Sequence, residues 1–206
     1  MGDGSAWRTT THEWAAAVDA AHLAHIRDHP DEYAPGGLLH LVLEAIAYPA
    51  DEALHTGGGH CVVTLHADGS VSVADDGRGT DTRYDEHGTP IKKPVMATRD
   101  VRFFDAPDAP ALADGHPRRG MSVVAALSSW LRHTNHRGNG SWTQRYERGV
   151  PVTGLDPIAP AAATGTTVHF LPDAALVRPV ALDVQALGGL RLPHLRLDVR
   201  APDARH

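Results

Sequence analysis

The sequence has a single cysteine, Cys61, and no excess of positive charge. One cysteine excludes an internal disulfide framework and fits a reducing compartment such as the cytoplasm. With 19 Lys and Arg against 25 Asp and Glu, the formal net charge is -6. That balance does not favour a nucleic-acid-binding face, although a local basic patch stays open. No apolar run is long enough for a signal core or a membrane span. The sequence therefore predicts a cytoplasmic protein without membrane contact.

What the sequence does contain is enough length and apolar content for one folded domain. Its 206 residues are 42% hydrophobic and 21% charged, which is ordinary for a globular protein with a sizeable core. Residues 1–12 are small and polar and predict an N-terminal arm, whereas residues 13–206 predict a single domain. Whether the arm forms a homodimer is left open by the sequence.

Apolar periodicity predicts helices first and mostly strands afterwards. Helical spacing covers residues 13–26 and 38–54, which flank a loop at 30–37. A buried helix is expected at 121–131, after a proline-rich irregular region at 80–120. Strands are expected at 61–66, 70–75, 135–148 (a hairpin), 164–170 and 190–199. This order predicts an α+β sandwich of one sheet covered by helices.

Three polar residues share one face of the second predicted helix. Glu44, Tyr48 and Asp51 stand at i, i+4 and i+7, so their side chains lie along the same side. Pro49 falls inside the same helix and removes one backbone hydrogen bond. We therefore expect a bend beside this polar face.

A glycine-rich turn follows the first predicted hairpin, in the stretch Asp75-Asp-Gly-Arg-Gly79. Glycines at such a turn let the backbone come close to a flat ligand. Taken alone, the stretch is more typical of a strand that ends in an ordinary Asp-Gly turn.

Several stretches in register resemble the N-terminal ATPase domain of the DNA gyrase B subunit and its topoisomerase IV counterpart, which belong to the GHKL group. They are residues 37–44, 51–54, 63–79, 122–128 and 164–168. The resemblance extends over roughly residues 20 to 200. It implies the two-layer α+β sandwich of that group, with a mixed, mostly antiparallel sheet covered on one face by helices.

The resemblance assigns the adenine-binding end of the family's pocket to residues that this chain retains. They are Asp75, Gly77, Gly79 and Thr166. Arg78 also matches the family, as does Arg137, which in gyrase lies at the pocket rim where aminocoumarin inhibitors bind. The resemblance therefore implies ligand contacts at these positions.

The phosphate-binding end departs from the family pattern. Glu44 stands where a glutamate polarises the attacking water, but Tyr48 replaces an asparagine that binds magnesium, and a neutral phenol is a poor magnesium ligand. Residues 114–120 replace a glycine-rich lid whose backbone amides bind phosphates. Within them, Pro117 has no amide to donate.

Retention at one end and loss at the other favour a repurposed pocket. We expect a stand-alone domain, without the transducer domain, that has lost Mg-ATP hydrolysis and binds a non-nucleotide small molecule but no nucleic acid. A secondary-metabolism enzyme of lyase, isomerase or cyclase type would use Glu44, Asp75 or Tyr48 as acid–base groups. Arg118 and Arg119 would close over an anionic substrate.

Two alternatives stay open. One is ATP binding with slow hydrolysis, in which Glu44 is the general base and Asp51 substitutes as the magnesium ligand. ATP and magnesium are expected cofactors only in that case, and no other cofactor or metal site is predicted. The other is a non-enzymatic binder of gyrase-directed inhibitors, or a decoy that pairs with gyrase subunits. Its inhibitor contacts would be Asp75, Arg78, Arg137 and Thr166.

Overall fold

The computed structural model describes residues 18–88, 90–91, 95–178 and 182–201. The expected N-terminal arm at 1–12, and the start of the first expected helix at Glu13, lie outside these residues. In the described part of the chain no helix has the length and hydropathy needed to cross a membrane.

Helices and strands follow in the order expected of an α+β protein. The helices are α1 (Ala20–Asp28), α2 (Pro30–Tyr33), α3 (Leu38–Thr56), α4 (Met121–Ala126) and α5 (Val184–Gly188). The strands are β1 (Gly59–Leu65), β2 (Val71–Asp75), β3 (Ser128–His136), β4 (Trp142–Glu147), β5 (Val150–Pro151), β6 (Asp156–Pro157), β7 (Gly165–Pro172) and β8 (Leu195–Arg200).

All the strands join one mixed sheet, in the order β5-β4-β3-β7-β2-β1-β8, with β6 paired to β4. Its pairings are antiparallel except for the parallel pair of β1 and β8. The register of β2 and β7 sets Asp75 opposite Thr166. Two sequence stretches that lie far apart in the chain therefore meet at one place on the sheet.

The core lies between the helices and one face of this sheet. Along β1 and β2 the buried residues alternate with partly exposed ones, as expected of strands covered on one face only. The apolar side of α3 packs here through Leu41, Val42 and Ile46, and α4 is buried along its whole length. The expected fold class, with one mostly antiparallel sheet and helices on one face, is confirmed.

Two expectations about the first helical region are wrong. Residues 18 and 19 are not helical, and α1 begins only at Ala20, where the Asp19 carboxylate accepts a hydrogen bond from the backbone amide of His22 at 3.0 Å. The expected loop at 30–37 contains α2, because Pro30 at the first helical position and two acidic residues after it favour a helix start.

The third expected helix, at 121–131, is also too long. It ends at Ala126, and β3 begins at Ser128, well before the hairpin expected from 135. Residues 121–128 are all buried, and periodicity alone cannot separate a buried helix from a buried strand. The last strand begins at Leu195 instead of 190. The region 80–120 contains no helix or strand in its described residues, as expected, and α3 is continuous through Pro49.

Asn135, on β3, ties the turn after β2 to the sheet. Its fully buried amide accepts a hydrogen bond from the Thr80 backbone amide at 2.6 Å and donates to the carbonyl oxygens of Thr80 and Gly140. Gly79 directly precedes Thr80, which Asn135 holds, and has a φ of 73°. A Cβ at this position would be 2.5 Å from the His136 carbonyl oxygen, so only glycine fits.

Gly79→Ala should therefore lower the free energy of unfolding by more than the strain of a positive φ alone would. Gly88 is the matched control, since its φ is 77° and an added Cβ would meet nothing within 4 Å. Both changes cost the strain of a positive φ, roughly 1 kcal/mol or more. The clash at Gly79 should add about 1–3 kcal/mol to its loss in free energy of unfolding. Urea denaturation of both variants measures the difference, and equal losses would contradict the steric role of Gly79.

Candidate functional site

A cavity of about 190 Å³ opens between α3 and the sheet at the end of β2. Apolar side chains form most of its wall, with Val73 and Val168 from the sheet and Met96 and Met121 from the opposite side. The full set of lining residues is Ala45, Tyr48, Pro49, Glu52, Val73, Asp75, Gly79, Thr80, Val95, Met96, Met121, His133, Thr166 and Val168. The cavity is therefore a mainly apolar slot with a few polar groups.

Asp75 is the buried carboxylate of this slot. Its Oδ1 accepts a hydrogen bond from the backbone amide of Gly77 at 2.9 Å. Burial raises the pKa of Asp75 to about 6, because hydrogen bonds from the amides of Gly77 and Thr166 compensate only part of the lost hydration. A buried acceptor with such a pKa suits a ligand that offers it an N–H donor, and it also suits proton transfer.

Two arginines near the slot are committed to protein partners. Arg78 is largely exposed and forms a two-pronged ion pair with Glu52, at 2.5 and 2.9 Å. Arg137 does not line the cavity and donates to the carbonyl oxygen of Gly79 at 2.8 Å, which holds the glycine turn in place. Neither arginine lines the cavity, and each is held beside residues that do, Arg78 by Glu52 and Arg137 by Gly79.

Tyr48 lines the slot from α3. Its hydroxyl donates to Asp100 at 3.0 Å and accepts a hydrogen bond from the Met121 backbone amide at 3.3 Å. Burial raises the pKa of Tyr48 far above its usual value, and the neighbouring charge of Asp100 acts in the same direction. The phenol therefore stays protonated.

Glu44 lies beyond Tyr48 and does not line the cavity. Its side chain is fully buried, and its two oxygens accept hydrogen bonds from the backbone amides of Arg119 and Gly120, the second at 2.9 Å. We use "lid" for residues 114–120. Since the Met121 amide donates to Tyr48, the three successive amides that end the lid and begin α4 all have internal acceptors.

The two arginines of the lid, Arg118 and Arg119, contact different side chains. Arg118 is buried, donates from Nη1 to Asp51 at 2.8 Å, and places its guanidinium over the rings of Tyr48 and Phe103. Arg119 approaches Tyr33 at 6.0 Å. The sequence-predicted residues thus divide into two groups.

One group surrounds the slot, and the other lies behind Tyr48. Around the slot are Asp75, Gly77, Arg78, Gly79, Arg137 and Thr166, with Tyr48 at its end. Behind Tyr48 are Glu44, Asp51, Arg118 and Arg119. Their functional roles remain predictions, and no cluster of His, Cys, Asp and Glu among the described residues is arranged to hold a metal ion.

The sequence interpretation missed His40 and Asp114. His40 is fully buried, bonds Asp114 through Nδ1 at 2.7 Å, and has Nε2 3.5 Å from Glu44. Burial lowers the pKa of His40, but its contacts with Glu44 and Asp114 outweigh that effect and raise it overall. The i, i+4 spacing of His40 and Glu44 was a visible signal, whereas the partner from the lid had none.

The sequence of this chain is similar to those of several curated proteins. The DNA gyrase B subunit of Thermotoga maritima is 38% identical over 155 residues, which are 73% of this chain and 24% of that protein. The DNA topoisomerase 4 B subunit of Bacillus subtilis is 35% identical over 152 residues, 73% of this chain and 23% of that protein. The chain belongs to the family of the gyrase and topoisomerase IV B subunits.

A solved structure gives the same result at the level of the fold. The topoisomerase IV ATP-binding domain of Francisella tularensis, in complex with a small-molecule inhibitor, superposes with a TM-score of 0.62 and 26% identity. The match covers 80% of this chain and 45% of that one. No family model matches the chain. This gyrase B-type chain spans about a quarter of the curated relatives' length, and the solved structure that it matches is an ATP-binding domain.

Asp75 should make the stability of the domain depend on pH in a defined direction. Its pKa is about 6 in the folded chain, against 3.8 when unperturbed. Between these values the folded state keeps a proton that the unfolded state releases, so the free energy of unfolding falls as pH rises from about 4 to 6. Above about pH 6 Asp75 is ionised in both states, so its proton no longer contributes to stability.

Urea denaturation in small pH steps tests this assignment. In Asp75→Asn, the free energy of unfolding should fall less between about pH 4 and 6 than it does in the wild type. Asp108→Asn, at an exposed position, is the control that should keep the wild-type dependence. An identical pH dependence in wild type and Asp75→Asn would show that the Asp75 pKa is unperturbed.

Proposed function

We propose that this gyrase B-type domain binds a small, flat heterocycle and does not carry out Mg-ATP hydrolysis. The observation that carries the proposal is that the backbone amides of Arg119, Gly120 and Met121 already have acceptors within the protein. Amides at such a position are the donors with which a lid and helix start hold phosphates. A triphosphate would have to displace both Glu44 and Tyr48 from them.

The chemistry of Tyr48 supports the same conclusion. Magnesium prefers anionic or carbonyl oxygen ligands in an octahedral arrangement. The Tyr48 hydroxyl is neutral, its pKa is raised by burial, and it is already engaged with Asp100 and Met121. The residues at this end therefore do not fit a magnesium–triphosphate group.

The size and lining of the slot support a compact ligand. Its volume of about 190 Å³ lies below the usual range of roughly 300–1,000 Å³ for drug-sized ligands. A bicyclic heterocycle with an N–H donor would bury its apolar faces against Val73, Val168 and Met96 and direct the donor to Asp75. If the protein converts its ligand chemically, Asp75 is the acid–base group that contacts the ligand.

A second function, slow ATP hydrolysis, is favoured by one observation. Glu44 is flanked by His40, which in turn bonds Asp114, and such a chain would hold a general base in position. For this function the Tyr48 side chain would have to move away and give up its hydrogen bond with the Met121 amide, so that a nucleotide could reach Glu44. The two functions therefore make opposite predictions for Tyr48.

Calorimetry and thermal shift with two probes separate them. 1H-indazole, a flat bicycle with an N–H donor, should stabilise the wild type, by about 2.7 kcal/mol at 100 times its Kd, and should bind more weakly to Asp75→Asn. Mg-ATP should give no magnesium-dependent stabilisation of the wild type. Tyr48→Asn, which opens the slot toward Glu44, should gain it.

Tyr84→Asn is the matched control, because Tyr84 is half-exposed and lies outside the slot. It should leave the response to both probes unchanged. Magnesium-dependent ATP binding by the wild type, with hydrolysis that is lost in Glu44→Gln, would contradict the proposal and establish the second function.

A further inference from the structure

Arg118 has hydrogen-bonding capacity that the described protein does not use. Its side chain is 4% exposed, and Nη1 donates to Asp51 at 2.8 Å. Nε and Nη2 are buried and have no hydrogen-bond partner among the described residues. A buried donor without a partner costs free energy, roughly 1–3 kcal/mol and more on a charged group. Such a group in a folded protein calls for a ligand or another explanation.

The two unused nitrogens form one recognition edge. In a guanidinium, Nε–H and one Nη2–H point the same way, with a spacing that matches the two oxygens of a carboxylate. Asp51 occupies a different nitrogen and is itself 42% exposed, so it compensates the charge only in part. The free edge is therefore suited to a planar anion.

The surroundings hold the guanidinium in place. Its central carbon lies 3.9 Å from the ring centre of Phe103 and 4.6 Å from that of Tyr48. The backbone amide of Arg118 donates to the Pro110 carbonyl oxygen at 2.9 Å, which fixes the chain just before the α4 start. Pre-positioning of this kind reduces the entropy that a bound anion would have to overcome.

Tyr48 connects this edge to the heterocycle slot. The same side chain lines the end of the cavity and carries the Arg118 guanidinium over its ring. We infer that the domain recognises a heteroaromatic carboxylate, whose ring system occupies the slot and whose carboxylate pairs with Nε and Nη2 of Arg118. This inference rests on the proposed heterocycle-binding function and specifies its ligand class. Because the edge is buried and Arg118 does not itself line the slot, the Tyr48 side chain has to turn aside for the carboxylate to reach it, while Arg118 keeps its place.

The test compares matched probes on wild type and arginine variants by calorimetry. The probes are 1H-indazole, its ring carboxylic acids and the corresponding carboxamides, which have nearly the same shape without the charge. In the wild type, at least one carboxylate isomer should bind about tenfold or more tightly than its carboxamide, as expected for a charge-assisted pair. In Arg118→Met the two should bind within about twofold of each other.

Two further variants separate recognition from general effects of charge or folding. Arg191→Met removes an exposed arginine that does not line the slot and should keep the carboxylate preference. Arg118→Lys keeps a cation but lacks the two-donor edge, so most of the preference should be lost. Thermal unfolding of the ligand-free variants reports any loss of fold separately from the ratio of affinities.

The possible failures can be told apart. If indazole binds through Asp75 but no carboxylate is preferred, or if Arg118→Met keeps the preference, the inference about Arg118 is wrong and the proposed function stands. If neither the indazoles nor their carboxylates bind, the proposed function and this inference are both overturned.

Discussion

The buried carboxylate of Glu44 is the interaction on which the candidate site depends. A fully buried charge is tolerated only when hydrogen bonds or opposite charges replace its hydration. Here the replacement comes from the amides of Arg119 and Gly120, with His40 close by. Since α3 supplies Glu44 and the lid supplies the amides, satisfying this charge fixes the lid against the helix. The closed lid end follows from the electrostatics of one residue.

Tyr48 extends that arrangement by one turn of α3. Its side chain lines the slot, which Glu44 does not, and its hydroxyl bridges the α4 start and Asp100. An asparagine at this position would be too short to bridge the same groups. The tyrosine on this helix face therefore contributes both to the lining of the cavity and to the hydrogen bonding of the Met121 amide at the α4 start.

Local patterns in the sequence were sufficient for the fold class, whereas the expectation of a pocket after β2 came from the resemblance to the gyrase B family. Strand alternation, the helix face of Glu44 and Tyr48, and the turn after Asp75 are visible within short windows. The sequence was insufficient where a partner comes from far along the chain. Asp114 beside His40, and Asn135 beneath the 79–80 turn, have no local signature. The predicted position of the boundary between α4 and β3 was wrong for another reason. Uniform burial removes the periodicity by which a helix is distinguished from a strand.

The retained residues differ in what they say about function. Gly79 is required by the fold itself, since an added Cβ would collide with the His136 carbonyl, so its presence does not indicate a ligand. Asp75 is different. Its raised pKa means that the folded protein is destabilised by keeping this carboxylate buried and ionised. An amide of similar size would avoid that penalty. A buried carboxylate beside an apolar slot is what the proposed binding of a heterocycle calls for, and Asp75 therefore supports that proposal more strongly than the glycines beside it.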